Sequence, residues 1–338
     1  MDLTPWAVII LPTGSGKSLF YFLHSAERNM CVLVFCPFVL LCEQVCSSPL
    51  REHLRIMKWS EISVANEDDA ASTANIVVCP YEIARMNSPM VAFVQKLRDR
   101  YRLGNIVVDE AHVLVHDAHY RNFTGFWAFL PHLKQVLSGN VCVVAITATL
   151  RPKDEKVLAQ KLGIAAGQPQ SKAATDFSVF RRSCFRELNV VVQKFRGPVE
   201  ANPALVGLIL DSLQKSLRSC IIVFCMTIQD VEDVGLMLSE WVPETVVNHS
   251  KLDQRMMLNL FQRTRVMVTT SCAGAGLDIP GLDHVVIWGG VWSVESLVQI
   301  GGRTGRHGPG CLTLLEFPKF LPEDAGDSRS AEIQGLMR

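Results

Sequence analysis

Leu11-Pro12-Thr13-Gly14-Ser15-Gly16-Lys17-Ser18 follows the apolar run Val8-Ile9-Ile10 and combines glycines, a lysine and hydroxyls at the spacing a phosphate chain needs. Backbone N–H groups around Gly14 to Gly16, backed by the positive end of a following helix, form an anion cradle. Lys17 is spaced to reach the β and γ phosphates and Ser18 to ligate Mg²⁺, so Pro12, Thr13, Gly14, Ser15, Gly16, Lys17 and Ser18 are the expected nucleotide contacts. Leu11 stands where the strict eight-residue pattern has its first glycine. A second constellation follows Ile106-Val107-Val108: Asp109 and Glu110 are carboxylates delivered by a strand end. Asp109 suits a water-mediated Mg²⁺ contact, and Glu110 suits orientation or deprotonation of an attacking water. A third, Gln299-Ile300-Gly301-Gly302-Arg303-Thr304-Gly305-Arg306, offers two guanidinium groups at a helix end. Their planar charge suits a γ-phosphate in the act of transfer, which makes Arg303 and Arg306 catalytic candidates beside Lys17, Asp109 and Glu110, with Gln299 of the same segment a further candidate. A fourth, Thr269 through Gly276 to Asp278, is a small-residue loop after a strand; Gly276 allows close approach of a ligand, and Asp278 can accept from a ribose hydroxyl.

These groups need strands to deliver them and helices to back them. Apolar runs near Val8 to Leu11, Val32 to Phe35, Ile76 to Cys79, Ile106 to Val108 and Val141 to Ile146 alternate with helical periods at Lys17 to Glu27, Val39 to Cys46, Phe123 to Leu137 and Lys153 to Leu162, punctuated by Pro49 and Pro131. A polar, small-residue stretch from Gly163 to Asp176 reads as an interdomain linker. A second series has strands at Leu188 to Val192, Ile221 to Phe224, Thr245 to Val247, Val266 to Thr269, Val285 to Ile287 and Leu312 to Leu315. Its helices fall near Pro203 to Leu217, Val231 to Leu238 and Gln254 to Phe261. The pattern predicts an α/β protein of two tandem domains with mostly parallel sheets, residues 1–170 and 171–338, with a short polar tail after Pro318.

The 338 residues suit two cores, and 49% of them are hydrophobic. Lys plus Arg and Asp plus Glu each number 33, so no global basic field attracts nucleic acid, and any such partner must be held by local patches. The longest apolar run, Met30 to Cys42, contains Pro37 and is too short to span a bilayer, and Met1 to Leu11 lacks the features of a secretory leader. An intracellular protein without a membrane partner is expected. The 11 cysteines lie mostly in strand-like runs and read as buried free thiols, with no Cys-x-x-Cys pair to hold zinc.

In order and spacing these segments resemble the motifs of superfamily 2 helicases, and most closely the RecQ family. Pro12 to Leu19 with Phe20-Tyr21 is similar to motif I, Phe35 to Phe38 to motif Ia, Cys79 to Glu82 to motif Ib and Asp109 to His112 to motif II. Thr147-Ala148-Thr149 is similar to motif III, Ile222 to Cys225 to motif IV, Thr269 to Asp278 to motif V and Gln299 to Arg306 to motif VI. The resemblance implies two RecA-like P-loop NTPase domains that use ATP and Mg²⁺ to move 3′ to 5′ along single-stranded or partly duplex DNA, and hence a nuclear protein. It implies nucleic-acid contacts at Pro37, Phe38, Pro80, Tyr81, Thr269 and Thr270, with His119, Tyr120 or Phe123 available for base stacking. Arg98, Arg100 and Arg102 form a basic rim or, interleaved with Asp99, a solvated helix face.

The chain also departs from the family. Only ten residues precede Leu11, so an adenine-reading motif is not expected; the loop after motif II lacks the family's tryptophan; and no counterpart of the zinc-bearing and winged-helix regions is expected. Looser adenine selectivity and looser coupling to DNA are the expectations. Two other readings stay open: an ATPase of the same superfamily acting on RNA, and a truncated nucleic-acid-binding protein without turnover. Retention of Lys17, Glu110, Arg303 and Arg306 together argues against the second.

Overall fold

A computed structural model describes residues 6–12, 14–116, 122–137, 141–162, 177–181, 188–216, 219–261, 263–270, 281–291, 294–305 and 310–318. The chain divides into two compact units, Met1–Cys184 and Phe185–Arg338.

The first unit is built on a seven-stranded sheet. Its strands are β1 (Trp6–Ile10), β2 (Cys31–Cys36), β3 (Ile56–Lys58), β4 (Ile76–Pro80), β5 (Leu103–Asp109), β6 (Val143–Thr147) and β7 (Phe177–Arg181). They lie in the order β3-β4-β2-β5-β6-β1-β7, with parallel pairing throughout. Strands covered on both faces must be apolar at every position, and β2 shows why its sequence reads as a continuous run. Leu33 and Phe35 enter one core, with Phe126 and Phe129, while Val32, Val34 and Cys36 enter the other, with Tyr21 and Phe22.

The crossover helices include α1 (Leu19–Arg28), α2 (Val39–Cys46), α3 (Glu67–Thr73) and α4 (Pro89–Asp99). They are followed by the single turn α5 (Val113–His116), then α6 (Thr124–Val136) and α7 (Pro152–Lys161). Pro131 was expected to punctuate α6 and instead lies inside it. Phe126, Phe129, Leu130 and Leu133 form a buried stripe at helical spacing that holds the helix across the proline.

The second unit has a six-stranded parallel sheet. Its strands are β8 (Leu188–Lys194), β9 (Cys220–Cys225), β10 (Val246–Asn248), β11 (Val266–Thr269), β12 (Leu282–Gly289) and β13 (Gly310–Glu316), in the order β10-β11-β9-β12-β13-β8. Helices α8 (Pro198–Lys215), α9 (Ile228–Ser239), α10 (Gln254–Phe261) and α11 (Val294–Gly301) connect them. Position by position this is the order of the first sheet without β7: β8 stands beside β13 as β1 stands beside β6. The two parallel-sheet domains are thus of the RecA-like kind.

The first unit ends after Cys184 rather than after residue 170 because β7, which the sequence reading missed, pairs with β1 from Trp6↔Phe177 to Ile10↔Arg181. The proposed linker at 163–176 and the tail after Pro318 lie outside the described residues. Among the described residues no helix is long and apolar enough to cross a membrane. The described cysteines are free thiols and most are buried.

Candidate active site

The site in the first unit starts where β1 ends. The Leu11 N–H donates to the Thr147 carbonyl at 3.0 Å, which ties the following turn to the end of β6. Gly14 and Gly16 have φ of 71° and 82°, the left-handed region in which a glycine carries no Cβ penalty. Ser15 closes the turn, its hydroxyl donating to the Pro12 carbonyl at 2.6 Å, and the Lys17 ammonium folds back over the same carbonyl at 3.4 Å. Thr13 lies outside the described residues. Helix α1 then begins with no side-chain cap and no acidic residue in its first turn, so no carboxylate of the helix competes for its positive end.

β5 brings the two carboxylates. Asp109 ends the strand almost fully buried, and Glu110 turns into the left-handed region at φ 49°. Strain of this kind, of order 1 to 3 kcal/mol, persists only where neighbours enforce it. Here the enforcement is visible: the Tyr81 hydroxyl donates to the Asp109 carbonyl, the Glu110 N–H donates to Asp109 Oδ1 at 2.9 Å, and the Ala111 N–H donates to the Ile146 carbonyl at 3.0 Å. Burial, with Glu110 adjacent, raises the Asp109 carboxyl far above the ordinary carboxylate range; Lys17 and the Glu110 N–H work against that rise. The strand ends have therefore brought Lys17, Asp109 and Glu110 into one electrostatic neighbourhood.

The Ser18 hydroxyl and the Asp109 carboxylate are hard oxygen donors beside an excess of buried negative charge, a set that fits Mg²⁺. Tyr21, in the first turn of α1, adds a buried phenol. Burial first, then Asp109 and Cys36, hold it well above its ordinary value.

Motif II also reaches the end of β6. His112 Nδ1 meets the Thr147 hydroxyl at 2.8 Å and Glu110 Oε2 at 3.4 Å, while the Thr149 N–H donates to the same threonine hydroxyl at 3.3 Å. His112, Thr147 and Tyr21 are members of the site beyond the residues expected from the sequence. Tyr21 was detectable, because it follows Ser18 at the spacing that shares a helix face. The His112–Thr147 contact spans two separate strands and leaves no trace in local spacing.

In the second unit Gln299 lies on α11, and Arg303 stands in the turn after it, 4% exposed. The Thr304 hydroxyl fastens that turn to the Asp283 carbonyl at 2.7 Å. Arg306, Gly276 and Asp278 lie outside the described residues, as do His119 and Tyr120.

Several expected nucleic-acid contacts are corrected by burial. Tyr81 is fully buried with its hydroxyl committed to the motif II turn, and Pro37 is buried as well. Thr269 is also fully buried, donating to the Thr270 carbonyl at 3.1 Å and accepting from Asn248 Nδ2 at 3.3 Å. Phe123 is a packing residue, edge-on to Tyr81 at 5.7 Å. The sequence placed these residues at strand ends without revealing which way they turn. Phe38, Pro80 and Thr270 remain partly accessible, and the exposed apolar neighbours are Val39 at the start of α2 and Ile83 and Met86 after β4.

The arginine rim is used internally. Arg98 donates to the Val136 carbonyl at 3.0 Å and pairs with Asp99, Arg100 pairs with Asp68, and Arg102 donates to the Ala74 carbonyl at 2.7 Å and to the Asn29 carbonyl.

The DEAD/DEAH box helicase family matches residues 6–157, and the helicase conserved C-terminal domain matches residues 202–308. With both domains present in this order, the chain belongs to the superfamily 2 helicases. Within that class it is RecQ-like: it is 26% identical over 323 residues to the ATP-dependent DNA helicase Q5 of Mus musculus, an alignment covering 89% of this chain and 31% of the relative. The chain thus spans under a third of that relative's length. Solved structures share the fold: the DUF1998 helicase MrfA bound to DNA at TM-score 0.70 and 19% identity, covering 92% of this chain and 46% of that one, and the DEAD-box helicase Mss116 bound to single-stranded RNA at TM-score 0.69 and 17% identity, covering 99% and 74%.

Proposed function

We propose that the chain is an ATP-dependent DNA helicase core of RecQ type, which hydrolyses ATP on the turn after β1 and moves 3′ to 5′ along single-stranded DNA to part duplexes. The observation that carries this reading is the meeting of the uncapped start of α1 with Lys17 and the Asp109–Glu110 pair. A binder without turnover has no use for a second, strained carboxylate held in that position.

In this reading the N–H groups from Gly14 to Ser18 and the Lys17 ammonium hold the β and γ phosphates. Mg²⁺ supplies charge neutralisation of the phosphates when bound, with Ser18 and, through water, Asp109 to hold it. Glu110 orients the attacking water and accepts its proton, and His112 passes the state of that carboxylate to Thr147 and the end of β6. Arg303 and Arg306 meet the charge that develops as the bond breaks, Gln299 orients them or the water, and Asp278 accepts from the ribose. Single-stranded nucleic acid lies over the loops after β2, β4 and β11, where Phe38, Val39, Ile83 and Met86 supply apolar contact and Pro80 and Thr270 backbone contact. With DNA as substrate, the proposed site of action is the nucleus.

Action on RNA is the second reading, favoured by the likeness to RNA-bound Mss116. DNA is preferred because the mouse relative, aligned over most of this chain, is a DNA helicase. Steady-state ATP hydrolysis with single-stranded DNA or RNA as activator, followed by unwinding of duplexes tailed at the 3′ or the 5′ end, tests both. Stimulation by DNA and opening of the 3′-tailed duplex are expected. Stimulation by RNA alone, or opening of the 5′-tailed duplex alone, would replace this reading.

A further inference from the structure

Tyr21 is a polar residue in an apolar place. It lies on the buried face of α1, 1% exposed, among Val34, Cys36, Val107 and Ile146. A phenylalanine would fill the same space, and Phe22 beside it does the apolar packing of this face. The Tyr21 hydroxyl is sealed from solvent and closes no hydrogen bond of normal geometry. An unsatisfied buried hydroxyl costs about 1 to 3 kcal/mol, so a fold that retains one invites an explanation at the site it faces. Ser18 stands three residues before Tyr21 on the same side of the helix start, and Asp109 lies on the same face of β5 as Val107, which packs in the same cluster as Tyr21; these are the polar groups that act on this hydroxyl.

We propose that Tyr21 is a positioning residue for the metal–nucleotide complex: its hydroxyl accepts from Ser18 and donates to the Asp109 carboxylate or to a water that this carboxylate holds. Two consequences follow from that geometry. Accepting the Ser18 proton turns a lone pair of the serine oxygen toward the metal. Donating to Asp109 fixes the carboxylate rotamer through which the metal's water shell is held, as outer groups commonly do for metal ligands. Tyr21 touches neither phosphate nor the reacting water. The proposal rests on the Mg²⁺–ATP reading of the site and specifies how this chain tunes it.

A tyrosine that stabilised the fold and one that serves the metal site respond oppositely to removal of a single oxygen. In Tyr21→Phe the nucleotide-free protein should keep or raise its melting temperature, because the hydroxyl removed is unsatisfied there. Affinity for a non-hydrolysable ATP analogue in EDTA should stay unchanged. In Mg²⁺ the analogue should bind about tenfold more weakly, and half-saturation should need about tenfold more Mg²⁺, the scale of a hydrogen bond to a charged partner. Calorimetric titration of wild type and Tyr21→Phe, each with Mg²⁺ and with EDTA, reads all of these. A lower melting temperature without nucleotide, with Mg²⁺ dependence unchanged, would make Tyr21 a structural phenol and overturn the proposal. Wild-type protein that binds the analogue equally well in Mg²⁺ and EDTA would overturn the metal reading itself, a result distinguishable from the Tyr21 outcome because it appears before any substitution.

Discussion

The turn after β1 and the turn after β8 hold the same place in two sheets of matching strand order. After β1 the chain spends several residues on a loop with two left-handed glycines, then starts a helix that nothing caps. After β8 it passes through Phe195 and Arg196 to Gly197, which is extended at φ 170°, and starts α8 on Pro198. Proline has no N–H to offer an anion. Glu200 in the first turn of α8 accepts from the Arg196 N–H at 2.7 Å, so a carboxylate of the chain itself already sits at the positive end of that helix. The second unit has the architecture of a phosphate site with the opening closed. A shared fold positions a strand, a turn and a helix; the residues in the turn decide whether anything binds there.

On the proposed reading the second unit contributes a charge rather than a cradle, and the largest effect is expected from removing that charge. Arg303→Ala should lower ATP turnover by about 10³ to 10⁵, the range for arginines that act on a transferring phosphoryl group, while nucleotide affinity changes little. Single-turnover rates with the melting temperature as a folding control check this. Unchanged turnover would remove Arg303 from the chemistry. In the first unit, Glu110→Gln should keep nucleotide binding and lower turnover by about 10² to 10⁴, the usual contribution of a positioned general base. Equal rates for wild type and variant would remove Glu110 from that role.

The paired glycines sharpen the contrast at smaller scale. At Gly16 a Cβ would lie 3.2 Å from Leu19 Cδ1 on a backbone with φ 82°. A left-handed alanine there costs about 1 to 2 kcal/mol, so Gly16→Ala should destabilise the turn and weaken nucleotide binding. Gly197 has nothing within 4 Å of its Cβ position, and its extended backbone suits any residue. Gly197→Ala should change stability by less than about 0.5 kcal/mol and leave binding alone. Similar losses in both variants would erase the distinction between the two turns.

The pH response should also separate the units. His284 in β12 lies buried between the hydroxyls of Ser212 and Thr313, each 2.9 Å away. Burial, with Lys215 nearby, pushes it down to about 4. It is neutral in the folded protein, whereas the unfolded chain takes up a proton below about pH 6.5. The stability it contributes is complete above pH 6.5 and is withdrawn as pH falls toward 4, on the order of 3 kcal/mol. Denaturant unfolding followed in the second unit from pH 7 to pH 4.5 should show this slope, and His284→Gln should flatten it.

Most of this was legible in the sequence where one local pattern suffices. Both sheets follow from apolar runs of strand length, α2 and α10 have the predicted bounds, and Gly14 to Ser18 and Asp109-Glu110 announce themselves by spacing. Elements were missed where the signal is short or depends on distant chain: β3 has three residues, and β7 is an edge strand defined by its pairing with β1. Helix α4 is absent from the expected elements although its signals are present: Ser88 caps it, Pro89 is in the first turn, and Met90, Phe93, Val94 and Leu97 are buried at helical spacing. What sequence could not give is the direction of a side chain at a strand end. Tyr81 sits where a nucleic-acid contact was expected and instead turns inward to hold the motif II turn.

The measurement that bears most directly on the account is the number of ATP molecules the full chain binds. Calorimetric titration with a non-hydrolysable ATP analogue in Mg²⁺ should give one nucleotide per chain, and none in Lys17→Ala. Two nucleotides per chain, or binding that survives in Lys17→Ala, would contradict the claim that, of the two matching turns, the one after β1 holds phosphate and the one after β8 does not.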